Sequence, residues 1–318
     1  MRFVKGFTLR AGASLLALID SMSDAQQSLK ERVRAFWQAN PCGTKFSDAP
    51  PGTRLFYERT EEHRYTKEWH IPMAADFTSA RGLRVLEIGC GLGTDGAQFA
   101  KAGAIYTGVD LTEAAVELAR RRFELFELPG TFRTADAENL DFADESFDLV
   151  YSHGVLHHTP DTRRAVREVH RVLRPQGRAV VMLYHRDSYN YRVNIRMLRR
   201  AGAHLLKFEP GLKLVHRLTG EPVESLREHA RHLKQDARSY LSPDEFLSQH
   251  TDGAGNPLAR VYSRREAREL FKDFAQVEMA THFLNKRWLP VVGNLLSRSA
   301  EKRLAARWGW HLWIYATK

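Results

Sequence analysis

Cysteine is nearly missing from this chain: Cys42 and Cys90 are the whole supply in 318 residues. That excludes a disulfide-stapled scaffold. Cys90 stands inside a glycine-dense turn, and both cysteines are expected to be free thiols of a reducing, cytoplasmic compartment. Long apolar runs are missing too, and nothing approaches the roughly 20 residues that a transmembrane helix needs. Arg2 and Lys5 ahead of the apolar patch Ala11–Ile19 share the outline of a signal peptide. The patch holds Gly12 and Ser14 and runs into Asp20 without a small-x-small cleavage site, so it reads as an ordinary N-terminal helix. No internal repeat or low-complexity tract is visible, which excludes solenoids. A hydrophobic share of 43% supplies a packed core, in one large α/β domain with insertions or in two modest domains.

Acidic residues are scarce in two stretches. The net charge is +10, yet residues 81–185 hold 13 basic and 15 acidic side chains. Residues 186–240 hold 12 basic against 6 acidic, and residues 286–318 hold 7 against 1. The surplus therefore lies outside the middle of the chain. It suits an anionic substrate, an acidic membrane surface or nucleic acid, or else solvated helix faces.

Periodicity divides the chain. Ser23 to Asn40 reads as an amphipathic helix with Leu29, Val33, Phe36 and Trp37 on one face, stopped by Pro41. Residues 41–80 are turn-rich and aromatic. Strand-like runs then fall at 84–88, 104–109, 131–134, 147–152 and 178–184, with helical runs at 94–102, 112–126 and 161–173 between them. Such alternation implies right-handed βαβ units and a mostly parallel sheet. After His185 it stops, and helical, basic sequence follows, including the capping signatures Ser242-Pro243-Asp244-Glu245 and Ser263-Arg264-Arg265-Glu266. Two last strands are expected at 276–283 and 310–316. The organisation expected is an N-terminal helical cover (1–80), a ligand-binding core (81–185), a helical substrate or lid insertion (186–262), and the rest of the sheet with a basic insertion (263–318).

The densest signal is Glu87-Ile88-Gly89-Cys90-Gly91-Leu92-Gly93-Thr94-Asp95, a strand end, a glycine turn and a helix start. Glycines let a backbone approach a ligand, and a helix N-terminus offers free N–H groups. Gly91 to Gly96 fits G-x-G-x-x-G, with Asp110 19 residues beyond Gly91, as a dinucleotide site requires. The register opposes that reading. The strand ends at Ile88, so the first turn glycine is Gly89 and the pattern becomes G-x-G-x-G; Glu87 is also misplaced beside a pyrophosphate. S-adenosylmethionine carries a sulfonium and no phosphate, so acids near it are tolerable or useful.

Further motifs follow in order: "VLEIGCGLG" (Val85–Gly93), "YTGVDLT" (Tyr106–Thr112), "TADAENLDF" (Thr134–Phe142), "SFDLVYSHGVLHHTPD" (Ser146–Asp161) and "EVHRVLRPQGRAVV" (Glu168–Val181). On these the chain resembles the class I S-adenosylmethionine-dependent methyltransferases of small-molecule type, over residues 81–185 and more loosely to the end. The resemblance implies a Rossmann-like, doubly wound, mostly parallel seven-stranded sheet with helical insertions. It implies S-adenosyl-L-methionine as cofactor, with Glu87, Gly89, Gly91 and Gly93 shaping its turn and Asp110 accepting from both ribose hydroxyls. Leu111 would pack on adenine, Asp136 would take the exocyclic amine with the Ala137 backbone nearby, and Ser152 would contribute a backbone contact near the methionine part.

Methyl transfer to a hydroxyl or acidic carbon needs a proton acceptor. His153, His157, His158, Tyr184 and His185 follow the fourth and fifth strands, at the edge where ligands bind in such sheets. His157, His158 and His185 are the candidate catalytic residues; packing or hydrogen bonding is the plainer role for the histidines of the fourth-strand loop. No acidic cluster accompanies His157-His158, so no metal is expected there. Tyr57, Arg64, Tyr65 and Trp69 either close over the cofactor or pack in the core. The loop His250–Ser263, with Asp252, Asn256 and Tyr262, either lines the acceptor site or is a surface Ω-loop. DNA-methylating relatives carry N/D-P-P-Y/F or Pro-Cys after the fourth strand, where this chain has Ser152-His153-Gly154-Val155. The expected acceptor is a small molecule, anionic or lipid-like, methylated at oxygen before nitrogen or carbon. Peripheral membrane contact is compatible with the charge. The alternatives are an RNA methyltransferase and a non-catalytic cofactor-binding subunit.

Overall fold

The computed structural model describes residues 24–253, 255–289 and 295–318, so the patch Ala11–Ile19 lies outside the described residues. β1 (Arg84–Ile88) is buried on both faces, Val85 and Glu87 on one and Leu86 and Ile88 on the other. That is the pattern of a strand covered by helices on both sides. It pairs in parallel with β2 (Ile105–Asp110) and β4 (Phe147–His153). β3 (Thr131–Thr134) adds beside β2, and β5 (Leu173–Tyr184) beside β4. β7 (His311–Thr317) runs antiparallel between β5 and β6 (Gln276–His282). The order β3-β2-β1-β4-β5-β7-β6 makes one seven-stranded sheet. Chain direction away from the centre reverses between β1 and β4, and ligand crevices open at that switch point.

Among the described residues, six α-helices lie before β5 within or beside this frame. α1 covers residues 24–39, α2 Arg54–Lys67, α3 Ile71–Ala75, α4 Thr94–Lys101 and α5 Glu113–Leu125. α6 (Thr162–Val172) starts on the Asp161 side chain, which accepts from Arg164 N, and α5 starts on Thr112 in the same way. One face of the sheet packs Leu86, Ile88, Val150, Val181 and Ile314 against Val166 and Val169 of α6. The opposite face packs Val85, Tyr151, Met182 and Trp313 with Phe77, Phe99 and the helices that follow β5.

Between β5 and β6 the chain is helical. A wide helical segment, Asn190–Arg199, runs into α7 (Arg200–Ala203). α8 (Glu209–Thr219), α9 (Val223–Gln235), α10 (Ala237–Tyr240), α11 (Pro243–Gln249) and α12 (Arg264–Leu270) follow, and α13 (Arg298–Trp308) precedes β7.

Three local readings change. Residues 54–67, expected as turn-rich cover, form α2, a 14-residue helix. Phe56 and Tyr57 stand side by side, which hides a helical stripe; long-range contacts such as Tyr57 Oη donating to Leu118 O at 2.7 Å hold the helix instead. β5 begins at Leu173, five residues before the expected 178, because its register shifts where Phe147 pairs with Leu173 and Leu149 with Arg178. Pro175 and Gly177 sit in that irregular stretch and read as a turn. Ser263 builds the full capping box with Glu266, whereas Ser242 begins α11 without a side-chain cap bond.

Candidate active site

A cavity of about 750 Å³ opens along the C-terminal ends of β1, β2 and β4. Its floor is the glycine turn. Gly89 N and Cys90 N both donate to Val109 O, at 2.7 and 2.9 Å, which folds the turn back onto β2. Gly89 has φ 78°, and a Cβ there would run into Val155. Gly91 has φ 52° with open space where its Cβ would stand, so the backbone itself faces the cavity. Gly93, at φ 69°, caps α4 just behind the lining.

Asp110 ends β2. Its Oδ2 accepts from Gly91 N at 3.2 Å, and its Oδ1 from Thr112 N at 3.0 Å and Thr112 Oγ1 at 2.9 Å. Burial pushes this carboxyl up from its usual range, against those donors. Leu111, Asp136 and Ala137 line the same end. Asp136 Oδ1 accepts from Glu138 N at 2.9 Å, and Asp136 Oδ2 from Lys30 Nζ at 2.6 Å. Lys30 also reaches Glu138 at 2.7 Å, so α1 is tied across the cavity's mouth.

A buried acidic network lies behind the turn. Asp95 in the first turn of α4 takes Arg64 Nε at 2.9 Å and Nη2 at 2.6 Å, together with Tyr65 Oη at 2.9 Å and Tyr151 Oη at 2.8 Å. Burial alone raises a carboxyl, but Arg64 and the two hydroxyls hold Asp95 below its ordinary value. Glu87 accepts from Tyr106 Oη at 2.5 Å; burial and the nearby Asp95 push it well up. Of the cover residues Tyr57, Arg64, Tyr65 and Trp69, Arg64 lines the cavity, while Tyr57 and Tyr65 pack around it.

At the other end stand His153, Met182, Tyr184, Asp252, Phe283 and His311. Asp252 Oδ1 accepts from Tyr184 Oη at 2.8 Å, and Oδ2 stands 3.3 Å from His158 Nε2. Burial opposes ionisation of Asp252, yet His158 and Tyr184 bring it down to about 2. His158 Nδ1 donates to Leu258 O at 2.5 Å. Its Nε2 faces Asp252 across that 3.3 Å, and both atoms are buried.

The structure brings Asp252 of the long loop and His158 of the β4 loop together. His157 lies beneath them, fully buried, with its ring centroid 3.8 Å from that of Tyr184, and does not line the cavity. His185 does not line it either: its Nδ1 bonds Gly309 O at 3.0 Å, because the chain turns away after β5 and Tyr262 pairs with it. Ser152 is likewise behind the wall, its Oγ donating to Ile88 O at 3.0 Å. Alternation along β4 puts Ser152 and His153 on opposite faces, so His153 is the one exposed to the cavity. Asn256 is fully buried, and Tyr262 Oη bonds Thr162 Oγ1 at 2.9 Å, so of these three Asp252 reaches the site, with Thr251 beside it. Lys30, Glu68 and His311 carry no motif; only the packing of α1, α2 and β7 over the crevice reveals them.

Residues 86–181 match the family model described as a methyltransferase domain. A phthiotriol/phenolphthiotriol dimycocerosates methyltransferase of Mycobacterium tuberculosis is 44% identical over 99 residues, 30% of this chain and 36% of that protein. O-methyltransferase rstn1 of Aspergillus nomiae is 38% identical over 107 residues, 33% and 48% of the two chains. The match spans less than half the length of these relatives. The PH0226 protein from Pyrococcus horikoshii OT3 superposes with a TM-score of 0.50 at 17% identity, covering 89% of this chain and 98% of that one, which speaks to fold. The chain thus carries a class I methyltransferase domain. That domain is of the S-adenosyl-L-methionine-dependent kind.

The cavity fits that cofactor: an open backbone at Gly91, a carboxylate acceptor at Asp110, and the acids Glu87 and Asp95 at the turn. Among the described residues no helix is long and apolar enough to cross a membrane.

Proposed function

We propose that this protein methylates a hydroxyl-bearing small molecule, with His158 and Asp252 as the proton acceptor. The pairing of His158 Nε2 and Asp252 Oδ2 at 3.3 Å beside the cavity carries this reading. Leu258 fixes the tautomer, and Asp252, anchored by Tyr184, stabilises the imidazolium once it forms. His157 buttresses Tyr184, and His185 has no part in the chemistry.

S-adenosylmethionine, when bound, supplies the electrophilic methyl group. Glu87, Gly89 and Gly91 would cradle its amino-acid end, with Gly93 setting the turn. Asp110 would hold the ribose, and Leu111, Asp136 and Ala137 the adenine. Asp136 keeps acceptor capacity for an amine because each carboxylate oxygen takes two donors and each has one here. α1 and residues 41–46 cover the cavity and exclude water, and Val33, Trp37, Met182 and Phe283 give it apolar walls that suit a lipid-like acceptor. One relative is named an O-methyltransferase, which supports oxygen as the methylated atom.

Beyond the cavity, the insertion carries Lys213 and Arg217 beside Leu214 and Leu218, which are 47% and 74% exposed on α8. This favours contact with an anionic membrane over RNA, whose phosphates would leave exposed leucines without a role. The test is incubation with labelled S-adenosylmethionine and fractionated cell extract, with mass spectrometry of what gains one CH₂. Label in a small hydroxyl compound is expected. Label confined to RNA, or none with the cofactor bound, overturns the reading.

A further inference from the structure

Three histidines meet at the far wall of the cavity, away from His158. His70 precedes α3, His153 ends β4 and His311 begins β7. One ring nitrogen of each lies within 4.8 Å of the other two. His70 Nε2 and His311 Nδ1 are 3.1 Å apart, although 241 residues separate them in sequence. We propose that His70, His153 and His311 bind a divalent transition-metal ion of the zinc class.

The geometry is close to what such an ion needs. Zinc–nitrogen distances of roughly 2.0–2.1 Å put tetrahedral ligands about 3.3 Å apart, near the His70–His311 separation. His153 has only to swing inward. Hydrogen bonding alone leaves the cluster incomplete: one proton serves the His70–His311 contact, and His153 Nε2 stays buried without a partner. Buried polar atoms in that condition call for a ligand.

The surroundings suit a cation of this kind. Glu68 Oε1 lies 3.7 Å from His311 Nε2, the nitrogen turned away from the cluster; a carboxylate behind a histidine is the usual support of a ligand ring. His282 stacks on His70 with centroids 5.4 Å apart and fixes its plane. Arg64 is the one opposing charge, with Nη2 at 3.2 Å from His153 Nδ1. Asp95 and Glu68 both pair with Arg64, so the shell around the three rings carries one more acid than base. Three nitrogen donors without a carboxylate select zinc, cobalt, nickel or copper over magnesium or calcium. His153 and His311 line the cavity, so a fourth position would open toward the acceptor.

Binding has a chemical consequence at His153. With Arg64 donating to Nδ1, the neutral ring keeps its proton on Nε2. Ligation through Nε2 moves that proton to Nδ1, and Arg64 releases His153 while keeping Asp95 and Glu68.

The test uses the full-length protein, stripped with a chelator and titrated with Zn²⁺ and with Co²⁺. One ion per chain and the intense visible absorption of tetrahedral Co²⁺ are expected. X-ray absorption of the zinc-loaded wild type should count three imidazoles, a readout that needs no variant. His70→Ala and His311→Ala should lose the ion, Glu68→Gln should weaken it roughly 10–100-fold, and His216→Ala should bind as the wild type does. S-adenosylhomocysteine binding by each variant checks folding. No stoichiometric ion, an absorption spectrum without histidine ligands, or unchanged binding in folded His70→Ala would overturn the proposal.

Discussion

A carboxylate held beside an imidazole stabilises the positive charge that the ring gains on taking a proton. Asp252 stays ionised to about 2, so it serves as the counter-charge and His158 as the member that takes the substrate's proton. His158→Ala is predicted to slow methyl transfer roughly 10²–10⁴-fold, the usual worth of a positioned general base. S-adenosylhomocysteine binding should not change. Asp252→Asn should keep the fold and move the pH at which activity rises, because the imidazolium loses its counter-charge. Equal pH–rate profiles for wild type and Asp252→Asn would sink the pairing. Asp110 was legible from its place at a strand end after a glycine turn. His158 was one of several adjacent histidines, and only the return of the loop at Asp252 separates it from His157. His185 misled because position after a strand says nothing of which way the chain then turns.

Among the elements, α1 shows how a helix with little intrinsic claim on the sheet is recruited to the site. Lys30 ties it to Asp136 and Glu138, Gln38 Oε1 accepts from Ala114 N at 3.3 Å, and Trp37 meets His158 edge-on at 5.5 Å. The helix was legible from Leu29, Val33, Phe36 and Trp37; its target was not, because an apolar stripe gives no address. Lys30 sits 19% exposed, so its two ion pairs are only partly screened. Lys30→Met is predicted to loosen α1, seen as faster amide exchange over residues 24–39 with exchange in β1 and β4 unchanged. Unchanged exchange in α1 would mean that the apolar face alone holds it. α2 was hidden for the opposite reason: its contacts are long-range and polar, and no local period records them.

At the scale of the whole molecule, the parallel core from β1 to β5 was readable because each strand and helix repeats one period. The helices after β5 follow no such rule, and the antiparallel β7 slips between β5 and β6 by topology alone. The same packing buries histidines far apart in the chain. Burial, chiefly, holds His157 and His250 well below the ordinary 6.5. Each binds its proton more readily once unfolded, so stability is full above 6.5 and falls as pH drops below it. Asp252 adds a second loss of stability between 3.8 and about 2. Thermal melts should therefore decline already below pH 6.5; a melting temperature flat down to the carboxylate range would contradict this assignment of neutral buried rings.

The central claim is that the glycine turn and Asp110 hold S-adenosylmethionine. Calorimetric titration of wild type and Asp110→Ala with S-adenosylhomocysteine tests it most directly. Asp110 Oδ2 has room for one further donor, and loss of one hydrogen bond to a charged acceptor, at roughly 1.5–3 kcal/mol, predicts a weakening of about tenfold or more. Equal affinity in a folded Asp110→Ala would place the cofactor elsewhere.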